Sequence, residues 1–307
     1  MPLKQLCGVF ILAALWGASF LFMRVASPVL GPVFLIDARV IIAAAVLFVF
    51  SKVVKNDFSF RAHWKQYLFL GAVNSAIPFT LIATATLQLT ASLAAILNSM
   101  VPLFTAIIAS IWLKEKLSKQ KLLGIILGLT GVVIIVGWNP ISTDIKIIAF
   151  AGLSVTATFF YGIGNVYARK NCGNISSLNT TLGQFIGASI LLLPAAILKF
   201  PGEWPSLKVI FALVGLAVFC TSLAFILYFY LIKSAGSTRA ASTLFLVPVF
   251  GTLWGVLLLD EAINISALVG LAIILAGISL IYQVPIIEKV KSIFSFPERR
   301  NDFHREG

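Results

Sequence analysis

The residues able to do chemistry are few, and their types point to binding rather than catalysis. Two histidines, His63 and His304, stand far apart, and the three cysteines, Cys7, Cys172 and Cys220, lie in or beside apolar stretches without CxxC or paired spacing. Zinc, redox and disulfide chemistry need those groups clustered, so no metal site and no cofactor is expected. Of the 11 acids in 307 residues, only Asp37 falls inside an apolar run. A membrane enzyme acting on lipid-linked intermediates needs grouped carboxylates, histidines or metal ligands, which argues against an enzyme.

More telling are uncharged polar and aromatic residues inside apolar runs. Asn74, Asn98, Asn165 and Gln184 each place an amide in hydrocarbon, where an unpaired amide is costly and must face protein or a wet cavity. Two readings stand for each: interhelical hydrogen bonding, at an average of about 0.6 kcal/mol, or the lining of a binding cavity. Trp16, Ser19 and Met23 share a helix face through i, i+3, i+7 spacing, and Tyr161 shares one with Asn165 at i, i+4. Tyr228 joins the aromatic set. Asp37 and Arg39, two apart, point to different sides of their helix. Asp37 is the candidate for proton coupling, and Arg39 is grouped with it as a coupling or gating residue. Pro102 and Pro248 interrupt their helices and free a carbonyl each, giving either a hinge or a static kink.

The elements that position these residues follow from composition. The chain is 60% hydrophobic and 11% charged, with a mean hydropathy of +1.02. A soluble domain carries about 25% charged residues, so lipid must be the solvent for most of this surface. Spanning helices need roughly 20 apolar residues, and such runs fall at 5–25, 33–52, 65–86, 91–113, 120–138, 146–168, 179–199, 207–232, 239–259 and 265–284. The run from Leu6 to Met23 exceeds a usual signal-peptide core and is read as a retained first helix. Residues 285–307 are polar and read as a cytoplasmic tail.

The formal charge of +12 is read as cationic loop ends facing an anionic leaflet, not as a nucleic-acid footprint. With the N-terminus inside, eighteen Lys and Arg fall in inside segments and three, Lys146, Lys199 and Lys208, in outside ones. That is the expected cytoplasmic bias, and it favours both termini inside.

The sequence also repeats. Val101-Pro102, Phe104, Leu113, Glu115, Gly124 and Gly131 recur at one offset of 146 as Val247-Pro248, Phe250, Leu259, Glu261, Gly270 and Gly277. Phe79 matches Phe225 at that offset, while Trp16-Gly17 and Arg24 match Tyr161-Gly162 and Arg169 at 145. The halves are 1–140 and 145–284. Each carries five helices, so the second must enter the membrane upside down. Inverted repeats of this kind are characteristic of secondary transporters, with the substrate near the midplane. Glu115 and Glu261, just beyond helices four and nine, either gate or brace the turn that follows. Arg24 and Arg169 either snorkel or meet an anionic group at a cavity mouth. Gly124 and Gly128 fit close helix packing, including a dimer face.

On these residues the chain resembles the drug/metabolite transporter superfamily in its ten-helix EamA-type branch. The likeness is carried by Trp16-Gly17-Ala18-Ser19-Phe20, Arg39, the stretch from Val101-Pro102 to Leu113-Lys114-Glu115-Lys116 with Gly124 and Gly131, and the second copy from Val247-Pro248 to Asp260-Glu261 with Gly270 and Gly277. The resemblance implies a central cavity lined by helices 1, 3, 4, 6, 8 and 9, with 5 and 10 peripheral. It also implies a bacterial inner-membrane location. Helix one has no carboxylate, unlike small multidrug members, which weakens proton-driven cation export and leaves facilitated diffusion or exchange.

The expectation is therefore an all-α polytopic membrane protein, monomer or homodimer, that moves a small polar metabolite such as an amino acid. A lipid flippase is the alternative. The expected cavity residues are Trp16, Ser19, Asn74, Asn98, Tyr161, Asn165 and Tyr228. Asp37, Arg39, Pro102 and Pro248 are the coupling or gating candidates, with no catalytic residue and no nucleic-acid partner.

Overall fold

The computed structural model describes residues 3–137, 145–202, 204–236 and 240–282; the expected tail at 285–307, with His304, lies outside them. Joined where pieces are contiguous, the described residues make ten helical segments and no strand: α1 Leu3–Leu30, α2 Pro32–Val53, α3 Arg61–Ala85, α4 Ala91–Trp112, α5 Lys119–Gly137, α6 Ile145–Asn171, α7 Ser177–Leu198, α8 Leu207–Ala235, α9 Thr243–Leu259 and α10 Ile265–Ile281. Seven of them, α1–α4 and α6–α8, are long and apolar enough to cross a bilayer, whereas α9 and α10 are apolar but shorter at 17 residues each. At 1.5 Å per residue such a helix reaches about 25 Å, a little under the hydrocarbon thickness of about 30 Å.

Exposed apolar side chains are the rule on the outer surface. Ile111, Val133, Ile145, Leu198 and Leu257 are all exposed. In water this would be a fatal surface, and in lipid it is the required one. Inside, the α1, α2, α3, α7 and α8 side chains form one large cluster around Met23, Leu35, Val40 and Phe185, and α4, α5 and α10 form a second.

Packing obeys a pseudo-two-fold exchange. Helix α1 packs on α9, and its repeat mate α6 packs on α4, the mate of α9. The glycines explain how. A side chain on Gly17 would strike the backbone of Phe250 and Gly251, and one on Gly162 would strike that of Phe104 and Thr105. The repeated aromatic-Gly pair is thus the crossing point of α1 with α9 and, equivalently, of α6 with α4. Helices α5 and α10 meet each other directly. Gly124 faces the Gly277 carbonyl and Gly131 the Gly270 carbonyl, so these repeat mates run antiparallel. The stripe holding Gly124 and Gly128, read as open to a dimer face, is covered within the chain by Gly277 and Leu103.

Two helices leave the α geometry at matched places. Ala72–Ala76 in α3 and Gly215–Leu223 in α8 are π-helical, a form found mostly at functional sites. Helix α4 breaks at Ser99–Met100, and Pro102 opens its second part. The carbonyl of Asn98 would bond the N–H of residue 102 in a continuous helix, and proline has none. Pro248 sits inside α9.

Candidate functional site

A cavity of about 450 Å³ lies between the two repeats. All seven residues expected to line it do so: Trp16 and Ser19 from α1, Asn74 from α3, Asn98 from α4, Tyr161 and Asn165 from α6, and Tyr228 from α8. Of the coupling and gating candidates, Arg39, Pro102 and Pro248 also line it. Asp37 does not. It is buried on α2 beside Ser189 of α7, with Oδ1 lacking a hydrogen-bond partner. The lining helices agree with those the resemblance implies, with two additions, Arg39 from α2 and Tyr282 just past α10.

The amides divide between the two readings left open for them. Asn74 Nδ2 donates to Gln184 Oε1 at 3.2 Å, and Asn165 Nδ2 donates to Thr105 Oγ1 at 3.3 Å, so both are interhelical bridges as well as lining. Gln184 itself is buried away from the cavity. Asn98 differs: its Oδ1 is buried and has no hydrogen-bond partner. An unmatched acceptor at the lip of a broken helix is costly and is available to a ligand donor.

Aromatic rings build the walls, in pairs that respect the repeat. Trp16 meets Phe225 at 5.9 Å and Tyr228 at 5.3 Å between centroids, and Tyr161, the mate of Trp16, meets Phe79, the mate of Phe225, at 6.1 Å. Phe79 and Phe225 were visible in the sequence only as repeat-matched residues, because phenylalanine in an apolar run carries no sign of facing a cavity. The guanidinium of Arg39 lies 3.9 Å above the Phe79 ring, and its Nε donates to Thr221 Oγ1 at 2.9 Å. Thr221 belongs to the π-helical turn of α8, where its hydroxyl also donates to the Leu216 carbonyl.

The two ends of the cavity are built differently. Arg169, mostly exposed, lines it and pairs with Glu115. Its mate Arg24 is not in the lining. Arg24 Nη1 donates to the carbonyls of Thr86 and Leu87 at 2.6 and 3.0 Å, closing the C-terminus of α3. Beside it Glu261 accepts from the backbone N–H groups of Ala91 and Ser92 at 2.7 and 3.0 Å and from Ser92 Oγ at 2.6 Å. Thr90 Oγ1 accepts from Leu93 N–H. The first amides of α4, which no helical carbonyl can satisfy, are thus capped jointly by Thr90 and by a carboxylate from the end of α9, favourably placed at the helix dipole.

The sequence model of the EamA-like transporter family matches this chain twice, over residues 3–137 and 148–283. Among curated relatives, the Bacillus subtilis protein named "Uncharacterized transporter YoaV" is 23% identical over 90% of this chain and 95% of its own. An "Uncharacterized transporter" of Archaeoglobus fulgidus is 24% identical over 87% of this chain and 95% of its own. A solved crystal structure shares the fold with a TM-score of 0.65 and 15% identity, covering 94% of this chain and 99% of that one.

Proposed function

Taking as premise that the chain belongs to the EamA-like transporter family, we propose that it is a secondary transporter of a small polar metabolite, an amino acid or a related compound. In this reading all ten helices cross a bacterial inner membrane as two five-helix inverted repeats, with both termini in the cytoplasm and no catalytic step. The solute is carried by alternating access between the repeats. The observation that carries the reading is the cavity itself. Its volume of about 450 Å³ holds a metabolite-sized molecule, its polar groups face inward, and Asn98 Oδ1 stands there without a partner. Arg169, mostly exposed, marks the mouth, while the Arg24 and Glu261 end lies outside the lining. With the orientation that Lys and Arg placement favours, the mouth is cytoplasmic and the cavity is read as inward-open. Pro102, at the break in α4, and Pro248, inside α9, stand at matched positions suited to a hinge for alternating access, and Asp37, off the cavity, has no direct route to the solute.

The test is counterflow of amino acids and related metabolites into liposomes holding the full chain. Uptake by wild type that Asn98→Ala and Tyr161→Ala abolish, with both variants still folded, supports the cavity. Uptake unchanged in both variants would overturn it. Movement of labelled lipid with no solute uptake would replace this reading with the flippase.

A further inference from the structure

Resting on the transporter reading, we propose that Arg39 is the anchor for a single carboxylate of the transported solute. Arg39 is 5% exposed, lines the cavity, and has no carboxylate partner among the described residues. Among the described residues the lining includes one other cation, Arg169, and that one is already paired with Glu115. Asp37, two residues earlier on α2, is outside the lining and on a different face. A cation taken out of water with no counter-ion is costly. What Arg39 has instead is neutral: the Thr221 hydroxyl on Nε, the Met23 sulfur 3.9 Å from Nη1, and the Phe79 ring beneath. A guanidinium carries five N–H donors. Two are used here, one of them by a weak acceptor, and the terminal fork remains for a planar, two-oxygen group that it matches in shape.

The repeat argues that the cation is there for a ligand and not for the scaffold. At the offset of 145 that relates α1 to α6, Arg39 corresponds to Gln184. Gln184 reaches the π-helical turn of α3 through Asn74, just as Arg39 reaches the π-helical turn of α8 through Thr221. One copy therefore holds the same helix–helix junction with neutral amides. The charge in the other copy adds nothing that the junction needs.

Charge counting selects the class of ligand. With Arg169 neutralised, the described lining holds one uncompensated positive charge, which one carboxylate balances. A phosphate dianion would leave a net negative charge in a low-dielectric site. If the solute also bears an ammonium group, Asn98 Oδ1 is an acceptor without a donor.

The experiment uses the purified full chain and two body sizes, leucine and phenylalanine, each beside its amide and its decarboxylated amine, with inorganic phosphate as a further probe. Thermal unfolding reports binding, and counterflow reports transport. The acids are expected to raise the melting temperature where amides, amines and phosphate do not. Arg39→Met is expected to weaken acid binding by about tenfold to a hundredfold, the worth of a hydrogen-bonded charge, without lowering the ligand-free melting temperature. Arg39→Lys should retain part of the affinity. The proposal is overturned if amides, amines or phosphate bind wild type as well as the acids do, if no acid binds, or if Arg39→Met keeps full acid affinity. In the first case, loss of that binding in Asn98→Ala leaves the transporter reading standing. If Asn98→Ala and Tyr161→Ala bind every probe as wild type does, the cavity reading falls as well.

Discussion

Glu115 and Glu261 occupy equivalent places in the two repeats, and each follows a residue in the left-handed region, Lys114 at φ 55° and Asp260 at φ 53°. The backbone therefore launches both carboxylates in the same way. Their partners nevertheless differ. Glu261 reaches across the repeat boundary and caps the first turn of α4, and beside it Arg24 holds the end of α3, outside the cavity lining. Glu115 pairs with Arg169, which is mostly exposed, at the end where the cavity opens. Matched sequences thus make one tight end and one loose end. Under alternating access the two ends would exchange these roles. The difference between them then belongs to the state of the protein rather than to its sequence.

The largest effect should come from Glu261→Ala. Losing a carboxylate that accepts three hydrogen bonds at a helix N-terminus should lower unfolding stability by about 2–3 kcal/mol, read as a drop in melting temperature in detergent. It should also raise the reactivity of Met23→Cys toward a thiol reagent from the Glu261 end, in a background lacking the exposed Cys7. A variant with unchanged melting and unchanged labelling would show that this end is not held by Glu261.

Next in size are Gly17→Val and Gly162→Val. Each forces a side chain into backbone at a helix crossing and should cost about 1–3 kcal/mol, by similar amounts in the two repeats. The scaffold crossings are alike where the two ends are not, and a large inequality between these two variants would break the comparison. Glu115→Ala should cost only about 0.5 kcal/mol, as expected for a pair with an exposed partner, and that small cost should shrink further at high salt. A loss as large as that of Glu261→Ala would mean the Arg169 end is braced as firmly as the Glu261 end. The smallest effect is expected for Asp37→Asn. Because Asp37 is off the cavity, solute counterflow and its pH profile should stay near wild type, and a flattened pH profile would make Asp37 the coupling group.

Much of the site was legible in advance because polarity is conspicuous in an apolar chain. Trp16, Ser19, Asn74, Asn98, Tyr161, Asn165 and Tyr228 could be picked out by type and helical spacing, and the structure brings all seven to one cavity. Phe79 and Phe225 were hidden among many phenylalanines, and Thr221 among ordinary hydroxyls. The π-helical turns that aim Asn74 and hold Arg39 left no local signature, since an inserted turn depends on what packs outside the helix. Gly124 and Gly128 read as close helix packing, with a dimer face as one form of it, and only the position of Gly277 showed that Gly124 packs within the chain.

The sequence by itself determined the solvent, the helical runs and the repeat, because each depends on local composition or on spacing along the chain. Tertiary structure alone decided that Glu261 meets Ala91 and Ser92 across sequence separations of 170 and 169 and that Glu115 meets Arg169 instead. It also decided that Arg39 faces a cavity with no acid among the described lining residues. Equivalent residues in two repeats carry the same local instructions. A chain that opens a cavity at one end must break the symmetry through long-range packing, which neighbouring residues do not encode.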